Sequence, residues 1–540
     1  LSIPRYRLQP NKITGTLDAN DVVELFLVQP SSDEKKLTTL STIYPEFTYP
    51  IFGDDETIFG YKGLVIQIRF AAHDLRSNVH ITYDDKFEPV EDIKAVDLPG
   101  ALSPFLPENA FSSLDDFRNS LNNDQHAADF KPPGNLRQSY CTNGRHYEIW
   151  EGSLADPIVR AQLDRIQIFV SLFIEAGTPI LTDDFDWTLE RWTVYFVYEK
   201  LNEPPTPSGS EYSFVGYATT YRWYFYEPQT LKDSKLDLTS NQSNPFETSL
   251  NLSNLPARLR IAQFLILKPH QQSGHGTDLY RTIHRICLED PTIYELTIED
   301  PNEAFDVLRD RNDYRLLRPE FVKHNISVNP DPFPKPPDGS TQVAPKHRRH
   351  PRRMPTSLII PTKTLDELRH KFKIAPTQFA HLMEMYLLGQ IPEAHRGSGN
   401  VNMTRLLIQK SRAPDENDRR YYWWRMLVKQ RLYKRHRDML IQIERSERAI
   451  KLDETLENVE EGYEALLKVF EKQESKSSKE KAEGKKEAAG TPLSEQRKRK
   501  RNITAFEEDD DDEAEAEAVA EEEQITTPSN GTNQAKKAKV

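Results

Sequence analysis

The spacing of apolar and polar positions changes character along this chain. Residues 22–28 (VVELFLV) and 63–70 (GLVIQIRF) are short apolar runs rich in β-branched side chains, which predicts strands. Residues 114–121 have helical spacing, and a polar linker with Pro and Gly follows over 122–134. Residues 1–130 thus read as one α/β unit. A helix is predicted to begin at 156–162 and run on to Glu175. The segments 192–199 (WTVYFVYE) and 214–225 (FVGYATTYRWYF) predict aromatic strands, joined through a Gly/Pro/Ser loop at 202–210. Next come an apolar strand at 261–268 (IAQFLILK) and a helix at 277–290, whose Leu279, Tyr280, Ile283, Ile286 and Cys287 form one stripe. A strand is expected at 292–298. Pro301 stops it, and Asn302 can cap a helix over 303–308.

Beyond about residue 327 the pattern changes again. Residues 328–355 are Pro-rich and then basic, with Lys346, His347, Arg348, Arg349, Arg352 and Arg353. Residues 365–389 and 417–444 have helical spacing, which predicts a helical domain over 356–471. From 472 to 540 the chain is low in complexity and carries too little apolar surface to offset the cost of ordering, so a disordered charged tail is expected. There is no internal repeat. The expected organisation is therefore α+β (mixed α/β) over 1–130 and 135–327, a linker, a helical region and a tail.

Composition narrows the function. The mean hydropathy of -0.70 agrees with a long polar tail. A net charge of -13 disfavours non-specific nucleic-acid binding and suits a basic partner or peptide. Cys141 and Cys287 are the only cysteines, and neither has metal-ligand spacing; no metal site is expected, and isolated thiols fit a reducing compartment. No apolar run has the length to span a bilayer. The opening Leu1-Ser2-Ile3-Pro4 is not a secretory signal and lacks an initiator Met, so a soluble intracellular protein with a trimmed start is expected.

The candidate chemistry lies between 261 and 311. A loop containing Gln271, Gln272, Ser273, Gly274, His275, Gly276 and Thr277 joins a strand directly to a helix. Unpaired N–H groups at a helix N-terminus bind phosphate, and the glycines let the backbone come close to it. A tight strand-to-helix turn would need no ligand. The spacing Gln271-x-x-Gly274-x-Gly276, however, is the pyrophosphate-loop pattern of the GNAT acetyltransferases. A dinucleotide fold would need three glycines and a P-loop a Gly-Lys-Ser/Thr end.

Two segments, ELTIEDPNEAFDVLRDRND from Glu295 and FGDDETIFGYKG from Phe52, closely resemble the catalytic subunits of type B histone acetyltransferases. The likeness covers about Arg5 to Phe321. It implies a GNAT core and acetyl-coenzyme A as cosubstrate, with Glu299 as general base and Glu175 and Asp300 as supporting acids. A lysine side chain, with pKa near ~10.4, must lose a proton before it attacks the thioester, and a carboxylate in reach can take that proton. Partial burial would tune the carboxylate toward that task. The resemblance also implies that the backbone of Phe264, Leu265 and Ile266 pairs with the pantetheine arm, that the loop holds the pyrophosphate, and that Asn302 and Arg311 touch the cofactor. Asp54, Asp55 and Glu56, with Trp192, Tyr221, Arg222 and Trp223, match the site for the tail of histone H-four. Cys287 lies on the apolar stripe, which favours a core cysteine over an acyl carrier.

The same likeness implies transfer to tail lysines of newly synthesised, non-nucleosomal histone H-four carried with its histone H-three partner, in work linked to chromatin assembly. A WD-repeat histone chaperone is the implied second partner, with the polar loop between Tyr226 and Ile261 as its candidate contact. No membrane and no direct nucleic-acid partner are expected. Arg497–Arg501 and Lys536–Lys539 read as nuclear-import signals, so both cytoplasm and nucleus are expected. Two rivals are a histone-binding chaperone without activity and a GNAT enzyme acting on another amine. A binder needs neither the loop nor Glu299, and a minimal small-amine enzyme lacks the acidic N-terminal segment.

Overall fold

The computed structural model describes residues 15–33, 35–207, 209–224, 255–333, 355–397 and 410–487. The expected import signals, the basic cluster at 346–353, most of the candidate partner loop and the tail beyond 487 lie outside them. Packing divides the chain into two units, Leu1–Asp300 and Pro301–Val540.

The first unit holds two large sheets, beside two small two-stranded ones. β1 (Val23–Pro30), β2 (Leu37–Ile43), β3 (Val65–Ala71) and β4 (Ser77–Thr82) form a sheet of order β2-β1-β3-β4. α1 (Leu114–Asn122) starts where Ser113 Oγ accepts the Asp116 N–H at 3.1 Å. The second sheet is a meander of β5 (Asn135–Thr142), β6 (Arg145–Ser153), β7 (Trp192–Lys200), β8 (Tyr212–Tyr224) and β9 (Ala257–Ile266). It ends on β10 (Ile293–Ile298), which runs parallel to β9 after the crossover helix α4 (His275–Glu289). Leu279, Tyr280, Ile283 and Cys287 are the buried stripe of α4, so Cys287 is indeed a core residue.

The helix predicted from 156 to Glu175 is in fact two, α2 (Pro157–Asp164) and α3 (Ile168–Phe173). The Gln167 side-chain amide makes two hydrogen bonds with the backbone of Ile180, at 2.6 and 3.1 Å, and buried Ile166 sits in the turn. These contacts favour the break over a continuous helix. The segment 1–130 keeps only a small core of its own, Val28, Ala71, Phe117 and Leu121, and shares its larger one. One buried cluster takes Val23, Ile68 and Phe70 from the first sheet, Phe169 and Leu172 from α3, and Tyr198 and Phe214 from the second sheet. The Phe70 and Phe169 rings lie 4.8 Å apart. Truncating a buried Phe here should cost about 3–5 kcal/mol.

The second unit is helical: α5 (Glu303–Lys323), α6 (Thr362–Phe372), α7 (Pro376–Gly389), α8 (Glu416–Arg435) and α9 (Arg445–Glu487). The boundary expected near 327 falls upstream, because Tyr314, Leu317 and Phe321 of α5 share a core with Leu382, Trp424 and Tyr463. α9 also continues past 472, where the tail was expected to begin. No helix among the described residues is long and apolar enough to cross a membrane.

Candidate active site

β9 is paired with β8 along its whole length, but with β10 only from Ala257 to Ile261. The Glu299 N–H donates to Ile261 O at 2.9 Å and closes the ladder there. β9 then runs on to Ile266 without β10 beside it. Phe264, Leu265 and Ile266 therefore lie where the two parallel strands part. On the other side β8 comes very close: a Cβ on Gly216 would stand 2.4 Å from Leu265 O. Only glycine fits at that position.

The strand leads into a short 3₁₀ turn, Lys268–His270, and then the loop. Gln272 and Gly274 have φ of +56° and +90°, and Gly274 is the N-cap residue of α4. The helix opens at His275, two residues before the predicted start, so Gly276 and Thr277 lie in its first turn. No side chain caps that end. The first-turn N–H groups are thus donors at the positive end of a fifteen-residue helix. The Gln271 amide donates to Ile266 O at 2.9 Å and the Ser273 hydroxyl to Gln271 O at 3.2 Å, which hold the loop against the strand.

His275 departs from the expectation. Its side chain is 2% exposed, hydrogen-bonded to the Tyr140 hydroxyl at 2.8 Å and packed 4.3 Å from the Tyr147 ring. Burial holds its pKa below the usual value. Only its backbone can serve a ligand. Neighbouring His270, which the sequence analysis did not single out, is pushed down to about 4 by burial, with His275 and Arg145 adding to the effect. Near pH 7 both rings are neutral, so the loop attracts an anion through helix donors and dipole rather than histidine charge.

Trp192, Tyr221, Arg260 and Thr297 form one row across β7, β8, β9 and β10. The Trp192 and Tyr221 rings are 4.6 Å apart. The Tyr221 hydroxyl donates to Glu299 Oε1 at 3.5 Å and accepts from Arg260 Nη1 at 3.1 Å. The Glu299 side chain is 42% exposed, so an incoming group can reach it and burial is slighter than expected. Trp223 is exposed on the same face, with the Arg260 guanidinium 5.4 Å from its ring centre. Arg222 points to the opposite face and is committed to Asp290 and to Thr292 Oγ1. It is a strut between β8 and the turn that leads into β10 rather than an open contact.

Glu175 and Asp300 are both exposed in turns, and among the described residues neither bonds to Glu299. The Glu175 turn is tied down on both sides: Ala176 N–H donates to the Tyr49 hydroxyl at 2.7 Å, and Gln263 Nε2 to Thr178 O at 3.0 Å. Asp54 and Asp55 are exposed at a tight turn. Glu56 is not available in the same way. Its carboxylate accepts from Thr48 N–H at 2.6 Å, Tyr49 N–H at 3.0 Å and Asn20 Nδ2 at 3.0 Å. The Thr48 backbone bond leads the effects that lower its pKa. Asn302 caps α5, accepting from Phe305 N–H at 2.9 Å, and Arg311 lies further along that helix. Both belong to the second unit.

A carboxylate reachable from solvent, an aromatic wall beside it, a strand leaving its parallel neighbour and a helix with open first-turn donors can together take an amine and a phosphate-bearing acyl donor. Residues 15–175 match the family described as Histone acetyl transferase HAT1 N-terminus. The chain is 62% identical over 456 residues to the histone acetyltransferase type B catalytic subunit of Aspergillus oryzae, spanning 84% of this chain and 86% of that one. It is 59% identical to the subunit of the same name from Aspergillus fumigatus, spanning 85% and 78%. For Neurospora crassa the figures are 38% identity, 84% and 88%. The protein is an acetyltransferase. It belongs to the family of histone acetyltransferase type B catalytic subunits, and the likeness extends well past the stretch from Arg5 to Phe321.

Proposed function

We propose that the chain has a GNAT core and transfers acetyl from acetyl-coenzyme A to lysines in the N-terminal tail of newly synthesised, non-nucleosomal histone H-four. The observation that carries this reading is Glu299 with Tyr221, reachable from solvent where β10 leaves β9. The helix donors of Gly276 and Thr277 hold the pyrophosphate, and the backbone of Phe264–Ile266 takes the amide-bearing arm as a strand would. The tail lysine enters along Trp192, Tyr221 and Trp223, whose faces suit a cationic stem, with Asp54 and Asp55 drawing in a basic peptide.

Glu299 accepts one proton from the ammonium, directly or through a water. The neutral nitrogen attacks the thioester carbon, the N–C bond forms and the C–S bond breaks; the nitrogen sheds its second proton, which passes through water to the departing coenzyme A thiolate. Glu175 and Asp300 supply acidity around the base. A WD-repeat chaperone partner, histone H-three alongside H-four, and residence in cytoplasm and nucleus belong to the same reading. The test is to incubate the purified chain with labelled acetyl-coenzyme A and either free histones or nucleosomes, then map the modified lysines. Label on free H-four tails alone supports it. Label on nucleosomes at an equal rate, or on no histone, overturns it.

A further inference from the structure

The charged side chains on the Glu299 face are not equivalent. Arg258 is cancelled by Glu295 of β10 at 2.6 Å. Arg260, one row nearer the candidate base, has no such partner: its carboxylate neighbour is Glu299 at 3.8 Å, beyond hydrogen-bond reach. Its guanidinium is instead seated on rings, 5.4 Å from the centre of Trp223 and 6.0 Å from that of Tyr221. Its Nε is buried and has no hydrogen-bond partner among the described residues. Its Nη1 donates to the Tyr221 hydroxyl at 3.1 Å. A phenol that accepts from a guanidinium keeps its one proton for another acceptor, and here that acceptor is Glu299 Oε1.

We propose that Arg260 is a positioning residue for acetyl transfer: seated on Trp223 and Tyr221, it orients the Glu299 carboxylate through the Tyr221 hydroxyl and, as a fixed cation beside the acceptor amine, favours the amine's neutral form. This rests on the reading of Glu299 as base. A nearby like charge disfavours an ammonium, so the residue helps the step in which the lysine must lose its proton. An exposed ion pair of this length adds little stability, which separates the role from a structural one. The other charged or titratable groups facing this place are Tyr221 of β8, Arg191 before β7, over the Tyr221 ring at 5.7 Å, and the Arg258–Glu295 pair.

The test is steady-state kinetics on a histone-tail peptide with saturating acetyl-coenzyme A, from pH 6.5 to 9.5. Arg260→Gln, Arg260→Lys and Glu299→Gln are compared with wild type, and melting temperatures are checked for each. Arg260→Gln should lower kcat near pH 7 about ten-fold, leave KM for the peptide within about three-fold, and recover most of the loss by pH 9.5, where solution alone supplies neutral amine. Arg260→Lys should restore most of kcat at pH 7, because the charge is kept. Equal losses in both Arg260 variants, uniform across pH, would mean mere packing and overturn the inference. So would an unchanged kcat. If Glu299→Gln is inactive while the Arg260→Gln profile stays parallel to wild type, the inference falls alone. If Glu299→Gln keeps near-normal turnover, both readings fall.

Discussion

The Tyr49 hydroxyl accepts a hydrogen bond from the Ala176 N–H at 2.7 Å, across 127 positions of sequence. Tyr49 N–H in turn donates to the Glu56 carboxylate. The acidic turn of Asp54 and Asp55 is thereby joined to the turn that carries Glu175, and Glu56 is the clasp. Of the three neighbouring acids, Glu56 is tied into the fold, while Asp54 and Asp55 are open to solvent.

That division predicts different phenotypes. Glu56→Ala leaves the Thr48 and Tyr49 N–H groups without their acceptor and should cost about 2–3 kcal/mol, read as a lower denaturation midpoint. Asp54→Asn with Asp55→Asn should leave stability alone, raise KM for a basic tail peptide several-fold and flatten the dependence of rate on salt. Turnover at saturation should hold, since only uniform binding is lost. Equal stability losses in the two variants would refute the division.

Glu299→Gln keeps size and an acceptor for Tyr221 but cannot take a proton. Turnover should fall by roughly 10²–10⁴ at neutral pH with unchanged melting temperature and acetyl-coenzyme A affinity. A drop of only a few-fold would move attention to Glu175.

Gly276→Asp places a carboxylate in the first turn of α4 among the donors assigned to the pyrophosphate. Binding of acetyl-coenzyme A by calorimetry should be lost. The apo melting temperature should barely move, because an acidic residue is tolerated by a helix N-terminus. Retained affinity would remove the loop from the cofactor site.

Much of this was legible in the residues because local chemistry punctuates it. Gly274 needs its left-handed φ, Pro301 stops β10 and Asn302 caps α5, so the loop and the two strands are where their residues put them. Strand alternation along β8 already sets Arg222 on the face opposite Tyr221 and Trp223. Arg260 was not legible. Its meaning depends on register with Tyr221, 39 positions away, and register is decided by packing across the sheet. The break between α2 and α3 is likewise tertiary, set by what Gln167 reaches at Ile180. The early boundary of the helical unit follows from which core Tyr314 and Phe321 join. None of these shows in local spacing.

The neutral histidine beside the loop makes a claim about acid stability. His270 is pushed down to about 4, chiefly by burial. An unfolded histidine titrates near ~6.5. Between those values the unfolded chain binds a proton that the folded chain refuses, so stability is full above about pH 6.5, falls as pH drops through the window and levels off below about 4. His275 and His73, whose pKa values burial also lowers, act in the same direction. His270→Gln should therefore remove about 1–2 kcal/mol of the stability difference between pH 7.5 and 4.5, allowing for the ring's partial exposure. Any change common to both pH values reports packing alone. Denaturant melts of wild type and variant at the two pH values check this. Because the ring is neutral near pH 7, the same variant should bind acetyl-coenzyme A at pH 7.5 within a few-fold of wild type. An identical pH dependence in the two proteins would show that His270 is free to protonate in the folded chain. A large loss of affinity at pH 7.5 would show instead that His270 takes part in holding the cofactor.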